Sequence, residues 1–183
     1  MAYRNGTYIA FHAEGSTDPT ASDIKYYRML KAWHEHDGVD FRFVNSHEKV
    51  AAVRDTSQAA TIKRSLRARL DNSKNMILII GRRTKFDTDF VPYEIAYAVD
   101  TCGIPIIATY VGYEGIVDPY ALRNLWPPAL AARVNNETAE VIHIPFKRAM
   151  IDHAMRTFTI ANLPGGSLVH YTRAGHAQFG IRW

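Results

Sequence analysis

Residues 76–81, "MILIIG", are a continuous apolar run that ends at a glycine. Runs of this composition are typical of a central strand in a parallel sheet, because helices cover both faces of such a sheet. We therefore predict a central parallel strand at this position. Its parallel neighbours must be joined to it through crossover connections, which are usually helices.

Strand and helix patterns alternate along the rest of the chain. Short β-branched, aromatic or alternating runs predict four further strands, at residues 7–11, 39–45, 104–112 and 139–146. Apolar residues at helical spacing predict four helices, at residues 23–36, around 62–70, at 90–103 and at 147–160. Residues 113–138 are rich in proline and are interpreted as irregular. The alternation predicts an α/β fold with a parallel sheet and helices on both faces.

The chain is long enough for one domain with a short addition. We assign residues 1–160 of the 183 to a single domain and residues 161–183 to a C-terminal extension. Weak alternation after "LPGG" suggests that the extension is a β-hairpin packed on the same domain. Ligands of open α/β sheets bind beyond the carboxyl ends of the strands, so a site is expected near residues 11–16, 45–58, 81–90 and 110–116.

Composition and missing motifs exclude several classes of protein. The net charge of +4 permits an anionic ligand, but the basic residues are spread along the chain and do not favour nucleic acid. Neither a signal peptide nor a membrane-spanning run is found, and Cys102 is the single cysteine, so we expect a cytoplasmic protein without disulfides. Dinucleotide-binding, P-loop, nucleophile-elbow and metal-binding motifs are also missing, and we expect no metal.

Several stretches together resemble one known family. In chain order they are "YIAFHAE", "FRFVNSHE", "RDTSQAATIKRSLRARLDNSKNMILIIGRRT" and "FVPYEIAYAVDTCGIPIIATYV". They resemble the bacterial Toll/interleukin-1 receptor (TIR)-like domains, and especially the TIR-like subunit of Thoeris anti-phage systems. The resemblance covers roughly residues 7–146. It implies a flavodoxin-like TIR fold with a five-stranded parallel sheet. For catalytic members it also implies cleavage of the nicotinamide–ribose bond of NAD+.

The resemblance also places the family's functional positions on this chain. Its glutamate, near the start of the third helix, corresponds to Glu94, with Phe90 four residues before it. Its first-strand motif ends at Phe11 and His12, where histidine stands in place of the more usual serine. The family's BB loop, which borders the active site and mediates assembly, contains the residues Asn45, His47, Arg54 and Asp55.

Glu94 is the candidate catalytic residue. Cleavage of a nicotinamide N-glycosidic bond leaves positive charge on the ribose, and a fixed carboxylate can stabilise or attack that centre. We expect Glu94 to lie in the first turn of its helix and to stay ionised there. Phe90 and Tyr97, four residues before and three after, would flank it for stacking on the ligand. The alternative is that Glu94 is an ordinary acid at a helix start.

Other candidates for substrate binding each have an ordinary structural explanation. His12 could bond a ribose or phosphate, or it could cap a loop. Arg54 could pair with a pyrophosphate, or with Asp55 in the same loop. Arg82, after the central strand, could meet phosphate or remain solvated. Trp126, beside two prolines, is interpreted as a packed loop anchor and not as a stacking platform for a base.

Three functions fit these observations. The first is an NAD+ glycohydrolase or ADP-ribosyl cyclase, with NAD+ as substrate and no separate cofactor. By analogy with Thoeris systems its product would activate a separate effector protein, and its activity could need self-association and a trigger. The second is a non-catalytic TIR-like assembly module. The third is an enzyme similar to nucleoside deoxyribosyltransferases, which also use a glutamate at an anomeric carbon.

Overall fold

The computed structural model describes residues 4–12, 23–36, 43–44 and 56–183, without the side chains of residues 36, 43–44 and 56–59. A sheet in which every neighbouring pair of strands is parallel forms its centre. In chain order the strands are β1 (Gly6–Ala10), β2 (Phe43–Val44), β3 (Ser73–Ile80), β4 (Ile106–Tyr110), β5 (Val141–Pro145) and β6 (Val169–His170). Their order across the sheet is β2-β1-β3-β4-β5-β6.

The first five strands confirm the predicted five-stranded parallel sheet. Their order across it, β2-β1-β3-β4-β5, is the flavodoxin-like order. β3 is the central strand, and its apolar run is buried from Met76 to Ile80 because the sheet is covered on both sides. The chain begins in β1, crosses to the edge at β2, returns to β3 and then moves outward through β4 and β5. The reversal beside β1 places the carboxyl ends of β1 and β3 next to each other.

Helices cover both faces of this sheet, as predicted. In chain order they are α1 (Ile24–His36), α2 (Thr56–Asp71), α3 (Phe90–Ala96), α4 (Pro128–Asn135), α5 (Arg148–Thr157) and α6 (Arg173–Gln178). One core lies beneath α2, α3 and α4, and the other lies beneath α1 and α5. Successive side chains of a strand point to opposite faces, so Tyr8 and Ala10 enter the first core while Ile9 and Phe11 enter the second.

The predicted third helix is present with the predicted ends. α3 begins at Phe90 and continues as a π-helical turn over Tyr97–Cys102. Gly103 ends it with a φ of 62°, in the left-handed region that glycine adopts without strain. Because α3 runs antiparallel to the strands, its first residues lie at the carboxyl edge of the sheet. None of the helices in the described parts of the chain is both long and apolar enough to cross a membrane.

Two interpretations of the second half of the chain are wrong. Residues 113–138 are not irregular throughout, because they contain a 3₁₀ helix at Pro119–Leu125 and the helix α4. Pro128 occupies the first turn of α4, where the missing N–H costs no helical hydrogen bond. Prolines therefore mark the start of a helix here, whereas the proline-rich composition predicts irregular structure.

The C-terminal extension is not a β-hairpin. After "LPGG" it supplies the short strand β6, which pairs in parallel with β5, and then the helix α6. Without β6, β5 would be an edge strand with unpaired backbone N–H and C=O groups. Pairing with β6 satisfies these groups, and this explains why the segment joins the sheet. The N–H of Val141 donates to the carbonyl of Gly166, at 2.9 Å, just before β6 begins. Residues 161–183 thus extend the sheet and cover its edge.

Candidate active site

Glu94 lies in the second turn of α3, beneath the carboxyl edge of β1. Its side chain is fully buried, and the hydroxyl of Tyr8 donates a hydrogen bond of 2.5 Å to its Oε1 atom. Its other oxygen, Oε2, is buried and has no hydrogen-bond partner in the described parts of the chain. A buried carboxyl group with one oxygen held and the other unpaired is an unusual arrangement, because burying an unpaired polar atom costs free energy.

The surroundings of Glu94 favour its neutral form. Burial raises the pKa of Glu94 from 4.5 to about 8, the hydrogen bond from Tyr8 lowers it, and the nearby Asp87 charge raises it. The expectation that Glu94 stays ionised is therefore wrong. The expected first-turn position is also wrong, because α3 has no acidic residue in its first turn. Near pH 7 the protonated form is favoured. A positive charge placed beside Oε2 would favour the carboxylate.

Asp87 serves the start of α3, two residues before the N-cap residue Asp89. Its Oδ1 atom accepts hydrogen bonds from the backbone N–H groups of Asp89, Phe90 and Val91, at 2.9, 3.1 and 3.3 Å. These N–H groups have no partner within the helix itself, and a carboxylate there also complements the helix dipole. The ordinary explanation of Glu94 as the acid at a helix start thus fails, because Asp87 has that role.

His12 is held by the other oxygen of Asp87. The His12 Nδ1 atom lies 2.9 Å from Asp87 Oδ2, and the imidazole is only 17% exposed. His12 follows β1 on the same face as Tyr8, so the alternation of the strand brings it towards α3 and Glu94. The neighbouring Phe11 points to the opposite face, where it is buried and stacks on Tyr27 with ring centroids 4.9 Å apart.

The remaining predicted residues lie at different distances from this centre. Phe90 is partly buried and packs on the same core as Glu94. Tyr97 points towards the amino end of β3, where its hydroxyl donates to Asp71 Oδ1 at 3.1 Å and its ring stacks on Tyr93. Arg82 is exposed at the carboxyl end of β3. Four predicted residues fall outside the described part of the chain: Asn45, His47, Arg54 and Asp55.

The packed-anchor interpretation of Trp126 agrees with the structure. Trp126 is buried, and its Nε1–H donates to the hydroxyl of Tyr110 at 2.6 Å. That hydroxyl lies 2.7 Å from Nδ1 of the buried His143, whose Nε2 lies 2.9 Å from the carbonyl oxygen of Ser167. Because a carbonyl only accepts, Nε2 carries the proton and Nδ1 accepts from Tyr110. Burial lowers the pKa of His143 to about 4, which keeps it neutral.

Sequence reasoning missed Tyr8 and Asp87, the two residues that contact the predicted ones. Asp87 had a usable signal, since an aspartate just before a helical segment commonly satisfies its first N–H groups. Tyr8 had none, because 86 positions separate it from Glu94 and only the fold brings them together. Within the described residues no group of three or more histidine, cysteine or acidic side chains is placed to hold a metal ion.

The fold and this site define a TIR-like α/β domain with a glutamate on its third helix. The family model described as Thoeris protein ThsB, TIR-like domain, matches residues 8–115 of the chain. This match covers more than half of the 183 residues, so the chain belongs to that family. It is accordingly a TIR-like protein of the Thoeris anti-phage defence type.

Proposed function

We propose that this protein cleaves the nicotinamide–ribose bond of NAD+ and that Glu94 is its catalytic carboxylate. The observation that carries the proposal is the Glu94 side chain, which is buried near the carboxyl edge of the sheet, with one oxygen that has no hydrogen-bond partner in the described residues. Natural proteins rarely keep such an atom without a partner, and a ligand is one way to supply it. Membership of the family supports the same substrate class.

The chemistry suits a carboxyl group whose ionisation depends on the ligand. Nicotinamide in NAD+ is cationic, and it leaves as a neutral molecule when it takes the electron pair of the C1′–N bond. The positive charge then moves to the ribose, where an ionised Glu94 Oε2 would stabilise it or bond to C1′. A cationic substrate also supplies the charge that the buried carboxyl needs in order to lose its proton.

His12 is proposed to hold the substrate. Asp87 holds one edge of the imidazole through Nδ1. The opposite nitrogen, Nε2, would then bond a ribose hydroxyl or a phosphate oxygen. Arg54 and Arg82 are proposed as further contacts to the pyrophosphate, and Asn45, His47 and Asp55 as further substrate contacts.

Water, or a hydroxyl or ring nitrogen of the same molecule, would then bond to C1′ and give a hydrolysed or cyclic ADP-ribose. Where Glu94 has bonded to C1′, that bond breaks in this step, and a water or hydroxyl nucleophile loses its proton to solvent. Such a product would act on a separate effector protein. The cleavage that forms it would require self-association of this chain and a trigger.

The same burial also supports a second candidate, a non-catalytic assembly module. A neutral glutamate that accepts a hydrogen bond from a core tyrosine is compatible with a purely structural role. The two candidates differ in what Glu94→Gln changes. The amide keeps the size of the side chain and can still accept from Tyr8, but it can never become a carboxylate.

The test compares the native protein with Glu94→Gln in cells, with and without phage challenge. ADP-ribose-derived products and NAD+ are measured in lysates by mass spectrometry at equal soluble protein. Glu137→Gln, an exposed glutamate on the turn after α4, is the matched control. We expect product from the native protein and the control, and about 100-fold less from Glu94→Gln. Equal product from all three proteins, or none from any of them, would contradict the enzymatic proposal.

A further inference from the structure

Tyr8 is the side chain that the structure places directly on the candidate catalytic group. It lies in β1, between β2 and β3, and its ring is fully buried in the core beneath α3. Its hydroxyl donates to Glu94 Oε1 over 2.5 Å, at the short end of the range for O–H···O hydrogen bonds. The backbone of a strand inside the sheet holds this donor, so it has little freedom to follow a moving partner.

This contact makes the two oxygens of Glu94 unequal. Oε1 is occupied by Tyr8, whereas Oε2 is buried with no partner in the described part of the chain. The bond to Oε1 restricts rotation of the carboxyl group and therefore restricts the directions in which Oε2 can point. We propose that Tyr8 is a positioning residue for NAD+ cleavage, which holds Glu94 by Oε1 and presents Oε2 as the oxygen that faces the ribose. This inference rests on the proposed function.

The proposal differs in its consequences from a merely structural role. If Tyr8 only fills the core, Tyr8→Phe should lower stability and leave the titration of Glu94 unchanged. If Tyr8 donates to the reacting carboxyl, removing the hydroxyl should move that titration to higher pH, because the bond favours the carboxylate. It should also lower product formation by roughly tenfold or more, the range expected for losing a hydrogen bond to a charged group.

The first measurement is an infrared titration of the purified 183-residue chain. The protonated carboxyl band of Glu94 is isolated by subtracting the spectrum of the matching Glu94→Gln variant. We expect its midpoint near pH 8 in the native protein and at higher pH in Tyr8→Phe. Tyr8→3-fluorotyrosine keeps the side chain's size and makes the phenol more acidic, so it should move the midpoint to lower pH. Tyr110→Phe removes another buried hydroxyl of the same sheet and should leave the midpoint unchanged.

The second measurement is product formation in challenged cells for the same variants at equal soluble protein. The proposal is overturned if Tyr8→Phe keeps the native yield, or if neither Tyr8 substitution moves the midpoint. Should Tyr8→Phe fail to fold, the fluorotyrosine variant decides alone. Undiminished product from Glu94→Gln would instead overturn the proposed function, and the positioning role would fall with it. The infrared shift would then still report the contact itself, so the two failures are distinguishable.

Discussion

Burial of Glu94 should make the stability of the whole domain depend on pH. The pKa of Glu94 is about 8 in the folded protein and near 4.5 when the side chain is fully hydrated. Each pH unit between these values corresponds to about 1.4 kcal/mol of differential stability for one proton. Over the whole interval this contribution amounts to about 5 kcal/mol, which is comparable with the total stability of a small domain.

The sign follows from which state binds the proton. Between pH 4.5 and about 8 the folded chain keeps a proton on Glu94 that the unfolded chain has released. The free energy of unfolding therefore falls as the pH rises through this interval. The contribution is fully present below pH 4.5, and it has been lost once the pH passes about 8.

Glu94→Gln isolates this contribution, because the amide does not titrate. We would unfold both proteins with urea at several pH values from 5 to 9 and plot the difference in the free energy of unfolding. As the pH rises, the free energy of unfolding of the variant should increase relative to that of the native protein, by up to about 1.4 kcal/mol per pH unit. The difference should level off above pH 8. Contributions of other groups are shared by both proteins and cancel. A difference that stays constant over the whole range would refute the reasoning.

Three further predictions concern the surroundings of the site. Asp87→Ala should lower the free energy of unfolding by about 1–2 kcal/mol, measured by thermal unfolding, because it removes the acceptor of three helix N–H groups. Asp87→Asn keeps an acceptor oxygen and should lower it by less. The contribution of His143 to stability should fall as the pH drops from 6.5 towards 4, because folding lowers the pKa of His143, and it opposes the gain from Glu94 over the same range. In urea unfolding, native stability should therefore decline relative to that of His143→Gln as the pH falls. Tyr110→Phe should cost about 1–3 kcal/mol in urea unfolding, since Trp126 Nε1 loses its acceptor; an unchanged midpoint would contradict this.

The sequence was most informative where local pattern decides the structure. The apolar run of β3 must be buried on both faces whatever its neighbours are, and Gly103 ends a helix through its own backbone freedom. These local signals, with the order of the family's motifs, were sufficient for the architecture. The same signals placed Glu94 on the correct helix, although the fifth residue of that helix belongs to its second turn and not, as expected, to its first.

What local pattern could not supply was the partner across the fold. Glu94 accepts a hydrogen bond from Tyr8 over a separation of 86 positions, and Asp87 contacts His12 over a separation of 75. Phe11 and His12 are adjacent in sequence, yet they point to opposite faces of the sheet, so only one of them could enter the site. The extension was misinterpreted for the same reason, because weak alternation predicts a strand without predicting which strand it will pair with.

Residues 165–167 attach the C-terminal extension to the edge of the sheet largely through main-chain atoms. The carbonyl of Gly166 accepts from Val141, the carbonyl of Ser167 faces the proton of His143, and the N–H groups of Gly165 and Gly166 donate to Glu140. Contacts of this kind do not specify the side chains of the segment that they hold. The exposed residues beyond it, such as Leu168, are therefore free to diverge while the anchor persists. In evolutionary terms, the edge of the sheet can pair with segments of different sequence without changes in the core beneath it.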